Sequence, residues 1–318
     1  MSPSVKVALI GAGPMAQAYG HVLKADGVDS IVVGRGETSA AKFKDVVGLP
    51  VLTGGLDANH DALKDCTHAI VALPVPVLAE ASITLMDAGV RNMLVEKPAG
   101  LNAQEIASVV AKAEITNSDV FVAYNRRFYA SVQEARRRIA EDGGATSFRF
   151  EISEWSDRIG PSAQPDSVKA SWFLANSTHV ADMAFFMGGF PDMIETMSAG
   201  TTGWHDPAVF VGHGLAKTGA LFSYHADWNA APRWMVEICT NGRTYMFQPL
   251  EGLKIRTKAG FAVEEIECEG ASDDTDFKPG IRRQVAAFLS PDGSPHLLRV
   301  ADQLDHQNRI YDVMVGGS

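Results

Sequence analysis

The segment "VALIGAGPMAQAYG", residues 7–20, joins a short apolar run to a glycine-rich turn and then to a helix-like stretch. In the spacing G-x-G-x-x-A, the first glycine permits a tight bend, the second lets the backbone approach a pyrophosphate, and the small third residue keeps helix and strand close. The N-terminus of the helix offers free N–H groups to phosphates. The segment therefore predicts a dinucleotide-binding turn. Its predicted contacts are Gly11, Gly13, Pro14, Met15 and Ala16.

Short apolar runs alternate with amphipathic stretches as far as residue 123. They read "VKVALIG", "SIVVGRG", "AIVALP", "NMLVEKP" and "VFVAYN". Unbroken runs of Val, Ile, Leu and Ala are typical of strands buried on both faces, so this part predicts a doubly wound parallel sheet. We interpret residues 1–124 as a Rossmann domain.

The pattern changes beyond Tyr124. A helix-like stretch, "YASVQEARRRIAEDGG", is followed by the strand-like runs "TSFRFEISEW", "ALFSYHADW" and "RWMVEICTNGRTYMFQPL". The "NG" in the last run predicts a hairpin. The acidic segment "ASDDTDF", residues 271–277, is interpreted as a solvated loop. Residues 125–318 therefore predict an α+β domain for substrate binding and oligomerisation, with a large, mainly antiparallel, open-faced sheet and a last helix that can pack back near the first domain.

Composition excludes several classes of protein. The net charge is −10 and the basic residues are scattered, which argues against nucleic acid as a partner. The cysteines, Cys66, Cys239 and Cys268, are odd in number and have no zinc-site spacing, so we expect no metal and a reducing compartment. No apolar run approaches 18 residues, and no signal-peptide layout is visible. We expect a soluble, cytoplasmic protein that does not bind membranes.

The end of the second strand bears on cofactor choice. It reads "VVGRGETS", so Gly34 stands where NAD-binding proteins carry an acidic ribose ligand, and Arg35 follows. A guanidinium there, with Thr38 and Ser39 nearby, suits a 2′-phosphate and favours NADP over NAD. Glu37 reaching the ribose, with Arg35 merely solvated, is the alternative.

The stretch "NMLVEKPAG", residues 92–100, ends the next clear strand with Glu96, Lys97 and Pro98. Open α/β sheets bind ligands at this edge, where an ammonium can orient or protonate a substrate oxygen. A lysine that only pairs with Glu96 is the structural alternative. Pro98 is a candidate for a cis peptide.

The motifs "GAGPMA", "VALPVPV", "EKPAG", "AYNRRF" and "STHVAD" occur in an order and spacing that resemble the glucose-fructose oxidoreductase, inositol dehydrogenase and MocA-like (Gfo/Idh/MocA) family. The resemblance implies a bound nicotinamide cofactor and hydride transfer at a carbon of a sugar or cyclitol. It implies that Lys97 and His179 are catalytic. The positions that match the family's cofactor-lining residues are Leu73, Pro74, Glu96, Asn125 and Arg126.

The chain departs from the family pattern before His179. Family members commonly read D-x-G-x-H-x-x-D, whereas this chain has Ala175 in place of the first aspartate and Ser177 in place of the glycine. Asn176 can hydrogen-bond a substrate hydroxyl or cap the helix. If it is the cap, His179 lies in the first turn, with Asp182 three residues later to orient it or bind substrate.

A buried stripe is predicted on the same helix, and two glycines are predicted to end it. The stripe consists of Val180, Met183, Ala184 and Met187, followed by Gly188 and Gly189.

Aromatic and basic residues lie near the predicted site in sequence. Trp155, Arg158 and Trp172 suit a sugar ring and a phosphate, as in a nucleotide sugar, although core packing is the simpler account of each tryptophan. Of the adjacent Arg126 and Arg127, either can hold cofactor or substrate, or pair with a carboxylate at a domain interface.

Together these features predict an NAD(P)-dependent oxidoreductase that interconverts a secondary hydroxyl and a ketone on a sugar, nucleotide sugar or cyclitol. We expect a homodimer or homotetramer formed through the open sheet. Two alternatives remain from the sequence: a glycosidase that retains its NAD, and a non-catalytic sensor that binds dinucleotide.

Overall fold

The computed structural model describes residues 5–316 and divides into two compact units. Unit 1 extends to Asn125 and includes Thr275–Leu304, whereas unit 2 consists of Arg126–Asp274 and the chain from Asp305 onwards. The single boundary expected between residues 124 and 125 therefore differs from this division, because a later segment returns to unit 1.

The strands of the two units are numbered in chain order. They are β1 (Val7–Ile10), β2 (Ser30–Val33), β3 (His68–Val71), β4 (Asn92–Glu96), β5 (Asp119–Ala123), β6 (Ser147–Ser153), β7 (Pro191–Ala199), β8 (Val209–Ala216), β9 (Leu221–Asp227), β10 (Arg233–Cys239), β11 (Arg243–Phe247), β12 (Lys254–Thr257), β13 (Val263–Glu265) and β14 (Leu298–Arg299).

The α-helices are numbered in the same way. They are α1 (Pro14–Ala25), α2 (Glu37–Val47), α3 (Gly55–Ala58), α4 (His60–Leu63), α5 (Leu78–Asp87), α6 (Ala103–Thr116), α7 (Ala130–Glu141), α8 (Ser156–Ile159), α9 (Asp166–Ala170), α10 (Thr178–Gly188), α11 (Ser272–Asp276), α12 (Ile281–Leu289), α13 (Val300–His306) and α14 (Asp312–Met314). Short 3-10 helices cover Val75–Val77 and Asn125–Phe128, and π-helices cover Phe173–Ser177 and Gln307–Tyr311. None of the helices within residues 5–316 is both long enough and apolar enough to cross a bilayer.

Unit 1 contains a six-stranded sheet in the order β14-β5-β4-β3-β1-β2. Strands β1 to β5 pair in parallel, and their apolar residues are almost completely buried, as a sheet covered on both faces requires. The short β14 joins the β5 edge in the antiparallel direction. The predicted Rossmann fold is confirmed.

The returning segment belongs to unit 1 because α12 has a buried face against α1. The hydroxyl oxygen of Tyr19 in α1 lies 3.3 Å from Gln284 Oε1, and Arg282 pairs with Asp26 at 2.6 Å. Ile281 and Val285 complete the buried face of α12.

Unit 2 contains an eight-stranded sheet in the order β13-β12-β11-β10-β6-β9-β8-β7. All its pairs are antiparallel except β6 with β9. The predicted hairpin joins β10 to β11, where Cys239 pairs with Thr244 and the turn is closed by a hydrogen bond from Thr240 N to Arg243 O. The mainly antiparallel sheet is thus confirmed.

The two faces of this sheet differ in burial. One face packs against α10 through the aromatic rings of Phe148, Phe150 and Phe222, which surround Phe185 of the helix. The other face is open, and Met197 on it is 78% exposed. The sheet therefore has an uncovered surface, as the alternating sequence predicts.

Helix α10 confirms the predicted stripe and corrects the predicted cap. Val180, Met183, Ala184 and Met187 are buried, and the helix ends at Gly188 with Gly189 at a φ of 112°. Asn176 does not cap the helix, because the π-helix Phe173–Ser177 runs directly into it and Ser177 has helical dihedral angles.

Two further expectations differ from the structure. The acidic segment contains α11 instead of a loop, and Asp274 Oδ2 accepts a hydrogen bond from Ala130 N at the start of α7. The last helix, α14, contacts β7 and β8 of unit 2, where Met314 O accepts hydrogen bonds from Thr196 and Tyr224. Within unit 1, the helix of the returning segment that packs on α1 is α12.

A buried ion pair holds α10 to the start of unit 2. Arg127 donates from Nε to Asp182 Oδ2 at 2.8 Å and from Nη2 to Oδ1 at 2.5 Å. Asp182 is 0% exposed, and the guanidinium lies 4.8 Å from the ring centroid of Phe186. Both carboxylate oxygens are therefore used inside the fold.

We expect Asp182→Ala to lower the free energy of unfolding by about 3–5 kcal/mol, because it leaves a buried guanidinium without the carboxylate that binds it. Urea unfolding followed by circular dichroism measures the change. Glu141→Ala, which removes an exposed partner of Arg137, serves as the control and should leave the midpoint nearly unchanged. Equal midpoints for the two variants would contradict a stabilising role of the buried pair.

Candidate active site

The predicted cofactor residues of unit 1 share one edge of its sheet. Because β1 to β5 are parallel, the loops that follow them all leave at the carboxyl edge. The residues at or just beyond the five strand ends are, in chain order, Gly11–Ala16, Gly34–Ser39, Leu73 and Pro74, Glu96 and Lys97, and Asn125. Ligands of open α/β sheets bind at this edge.

The glycine turn has the geometry that a dinucleotide requires. Gly11 has a φ of 122°, and a Cβ there would lie 2.4 Å from Ala72 O, so only glycine fits. A Cβ on Gly13 would meet no heavy atom within 4 Å, which leaves space for a phosphate to approach the backbone. Ala16 is completely buried. Helix α1 begins at Pro14 with no side-chain cap, so its N–H groups face this space, and the turn fits a dinucleotide.

The loop after β2 is exposed. Arg35 is a solvent-exposed side chain, and Ser39 donates its hydroxyl hydrogen to Gly36 O at 2.9 Å. Glu37 accepts a hydrogen bond from Thr53 at 2.7 Å. Arg35 is therefore positioned to meet an anion, while the carboxylate of Glu37 is engaged with Thr53.

The end of β4 carries a linked set of polar groups. Lys97 is 9% exposed, and the Lys97–Pro98 peptide is cis, as expected. Tyr19 donates to Glu96 Oε1 at 2.9 Å. Burial raises the pKa of Glu96, and burial together with the neighbouring Glu96 raises the pKa of Tyr19 well above its usual value. Lys97 thus lies next to a carboxyl group that a tyrosine hydroxyl orients.

The last two predicted cofactor residues have different surroundings. Asn125, in unit 1, donates from Nδ2 to Pro279 O at 2.9 Å, so its amide holds the returning segment. Arg126, in unit 2, lies 5.0 Å from the ring centroid of Trp234. Its buried Nε has no hydrogen-bond partner within residues 5–316, and burial lowers the pKa of its guanidinium. Arg126 therefore retains a donor for an anionic ligand.

In unit 2, Asn176 and His179 lie three residues apart in the continuous helix formed by the π-helix and α10, and both side chains are half-buried. Asn176 Nδ2 donates to Glu154 Oε1 at 3.0 Å, and Ser177 Oγ donates to the same oxygen at 2.5 Å. Glu154 directly follows β6 and is 5% exposed. A carboxylate that the sequence interpretation did not include therefore belongs to this site.

Asp182 requires a correction. The sequence placed it as a substrate ligand or as a partner of His179, but its carboxylate is completely buried and binds Arg127 through both oxygens. The same ion pair shows that Arg127 binds a carboxylate within unit 2. Asp182 is a structural residue.

Aromatic side chains lie beside Glu154. Arg158 stacks on the exposed ring of Trp155, with its Cζ 3.5 Å from the ring centroid. Trp172 meets the ring of Trp204 edge-on at 6.3 Å. The indole N–H of Trp172 is buried without a hydrogen-bond partner among the described residues, so this ring retains an unused donor.

Several residues of these surroundings were missed by the sequence interpretation. Tyr19 and Glu154 meet their partners only through long-range contacts, and no local motif marks them. Trp204 stacks on Trp228 at 5.7 Å, and Trp228 donates to Ile152 O. For these two residues the only signal in the sequence was the tryptophan itself. Trp228 follows β9, and Trp204 lies in the loop before β8.

Solved structures with the same fold include several dehydrogenases. The structure of levoglucosan dehydrogenase in complex with NADH and levoglucosan matches with a TM-score of 0.78 and 20% identity over 98% of this chain and 96% of that chain. A putative NADPH-dependent oxidoreductase from Desulfitobacterium hafniense matches with a TM-score of 0.79 and 14% identity over 99% and 95%. UDP-N-acetylglucosamine 3-dehydrogenase from Acidithiobacillus ferrooxidans matches with a TM-score of 0.70 and 15% identity over 98% and 99%. At these identities the likeness shows the fold.

No curated protein sequence matches the chain. Residues 5–124 match the model of the oxidoreductase family with an NAD-binding Rossmann fold, which confirms the resemblance and the expected oxidoreductase class. Over these residues the chain is similar to the Gfo/Idh/MocA family of NAD-binding oxidoreductases.

Proposed function

We propose that the protein is an NAD(P)-dependent dehydrogenase or reductase that interconverts a secondary hydroxyl and a ketone on a sugar, nucleotide sugar or cyclitol. The observation that carries the proposal is the carboxyl edge of unit 1, where an open glycine turn follows β1 and the buried Lys97 follows β4, the two strands that flank β3 in one parallel sheet. The bound nicotinamide would accept or donate the hydride. Gly11, Gly13, Pro14, Met15 and Ala16 would hold the pyrophosphate, with Leu73, Pro74, Glu96, Asn125 and Arg126 as further contacts.

Lys97 and His179 are the proposed acid and base. His179 takes the hydroxyl proton when the substrate is oxidised, directly or through a water. Lys97 polarises a substrate oxygen and helps to protonate it in the reverse direction. Glu96 supports this role, because its carboxyl group is adjacent to Lys97 and is oriented by Tyr19.

The proposed substrate contacts lie in unit 2. Asn176 would bind a hydroxyl, Trp155 and Trp172 offer ring faces to a sugar, and Arg158 carries a positive charge beside Trp155 that suits a phosphate. Two of the solved structures with this fold are dehydrogenases of levoglucosan and of a nucleotide sugar, which supports this substrate class.

Lys97→Ala and His179→Ala should each lower turnover by about 100-fold or more, because each removes a proton-transfer group. Reduction of NAD or NADP is followed at 340 nm with levoglucosan, UDP-N-acetylglucosamine and myo-inositol as probes. Cofactor affinity, measured by calorimetry, should change little. The controls are the exposed residues Lys64 and His60, whose alanine variants should keep full turnover.

Each outcome bears on one part of the proposal. Unchanged turnover in either variant would remove that residue from the mechanism. Release of free sugar from a glycoside without a net change in reduced cofactor would favour the glycosidase. Binding of cofactor without turnover of any probe would favour a sensor.

For the cofactor, we propose NADP in preference to NAD, with Arg35 and Ser39 as contacts of the 2′-phosphate. The exposed guanidinium of Arg35 and the engagement of Glu37 with Thr53 support this choice. We expect Arg35→Ala to raise the Kd for NADP by about 10- to 100-fold, the equivalent of one lost charged hydrogen bond, while the Kd for NAD changes less than threefold. Fluorescence titration measures both constants, and Lys42→Ala is the control. A tighter Kd for NAD in the native protein would contradict the preference.

We also propose that two or four copies associate through the open face of the sheet in unit 2. Met193, Met197 and Leu221 expose apolar surface on this face, and Leu221 is 63% exposed. Polar pairs such as Arg149 with Glu237 lie on the same face, on the strands beyond β9. The cytoplasmic location stays a prediction, and the three cysteines are free thiols.

Leu221→Glu should lower the mass of the particle in solution, because a charge would be buried at the interface. Light scattering coupled to size-exclusion chromatography measures the mass. Ile115→Glu, at an 81% exposed position on α6, is the control and should not change it. A native protein that is already monomeric at micromolar concentration would refute this association.

A further inference from the structure

Glu154 is a buried carboxylate whose partners lie on the helix that carries His179. It follows β6 directly, so the end of a central strand fixes its backbone. Its Oε1 accepts hydrogen bonds from Asn176 Nδ2 and Ser177 Oγ. Ser177 is completely buried, whereas Asn176 is half-buried. The hydrogen bonds of Glu154 therefore reach one completely buried side chain, Ser177, and one partly accessible side chain, Asn176.

The chemistry of these groups determines how Asn176 is oriented. An ionised carboxylate only accepts hydrogen bonds, so the NH₂ group of Asn176 must face Glu154. The carbonyl oxygen, Oδ1, then points away from Glu154. Two donors on one carboxylate oxygen, Asn176 Nδ2 and Ser177 Oγ, hold the NH₂ end of the amide at Glu154. Glu154 thereby prevents the NH₂ group and the carbonyl oxygen of the Asn176 amide from exchanging places.

The neighbourhood of Asn176 contains a donor that complements this acceptor. Trp172 lies one turn earlier on the same helical run, and its buried indole N–H has no partner among the described residues. A vicinal diol offers both a donor and an acceptor at close spacing. The Oδ1 acceptor of Asn176 suits the hydroxyl of such a ligand, and the indole N–H of Trp172 is an unused donor on the same helical run.

We propose that Glu154 is a positioning residue, which locks the amide of Asn176 so that Oδ1 accepts a hydrogen bond from a hydroxyl of a polyhydroxylated substrate. This inference rests on the proposed function in its substrate class. The orientation of the amide itself does not, because the protein adopts it before any ligand binds.

The orientation can be tested without a substrate. In a ¹⁵N–¹H spectrum of the full-length protein, the side-chain amide of Asn176 is assigned from its loss in Asn176→Ser. We expect a downfield resonance that exchanges slowly with solvent, as a bond to a buried carboxylate requires. It should move upfield in Glu154→Gln, which keeps the shape and removes the charge, and take the position of an exposed amide in Glu154→Leu. Glu151→Gln, on the same strand and with partners Arg233 and His225, should not move it.

An Asn176 resonance that is unchanged in Glu154→Gln would overturn the proposal, because the amide would then not be bonded to that carboxylate. Glu154→Gln keeps the test decisive if Glu154→Leu does not fold, since Gln is nearly isosteric with Glu.

The effect on the substrate is tested by a double-mutant cycle with levoglucosan as the probe. We expect Asn176→Ala and Glu154→Leu each to raise KM by about tenfold, with a smaller change in kcat, and the double variant to be no worse than either single variant. Glu154→Gln should raise KM by less than threefold. Multiplicative effects in the double variant would show that Glu154 acts independently of Asn176 and would overturn the proposal.

The two tests separate this inference from the proposed function. If the native protein turns over none of the sugar probes, the proposed function fails, and with it the role of Oδ1 toward a hydroxyl. The amide spectrum would still decide whether Glu154 orients Asn176.

Discussion

The close approach of Gly11 to Ala72 is the contact on which the cofactor edge of unit 1 depends. A side chain at residue 11 would clash with the carbonyl of Ala72, and the left-handed φ of this glycine turns the chain directly from β1 into α1. The N–H of Gly11 binds Val33 O, and the N–H of Ala72 binds Ile10 O, so the turn is tied to β2 and β3 at once. The loops after the central strands therefore gather at one edge, where the helix N-terminus and Lys97 also lie.

Two buried carboxylates of unit 2, Asp182 and Glu154, bind different parts of the fold. Asp182 neutralises Arg127 and joins α10 to the start of the unit, which leaves it unavailable to a ligand. Glu154 binds the other end of the same helical run and leaves Asn176 partly accessible. Buried charges of this kind are costly unless they are paired, so both contacts constrain where the helix lies. The carboxylate near His179 thus comes from a strand end, whereas Ala175 stands at the position where the family commonly has an aspartate.

Local patterns predicted much of this molecule because they report local physics. The apolar runs mark the parallel strands, the "NG" marks the hairpin, and the period of Val180, Met183 and Met187 marks the buried face of α10. The same rules failed where a distant partner decided the outcome. Asparagine is a common helix-capping residue, but at Asn176 a π-helix continues through the position. Asp182 has the spacing of a partner for His179, but its carboxylate binds Arg127.

The sequence by itself determined the Rossmann unit, the mainly antiparallel second sheet and the resemblance to an oxidoreductase family, because glycine spacing, strand periodicity and short motifs depend on neighbours along the chain. Only the tertiary structure decided that residues 275–304 return to unit 1, that Tyr19 orients Glu96, and that Glu154 accompanies Asn176. These contacts join residues from 22 to 265 positions apart. Their geometry follows from how strands and helices pack, and no local sequence pattern encodes it.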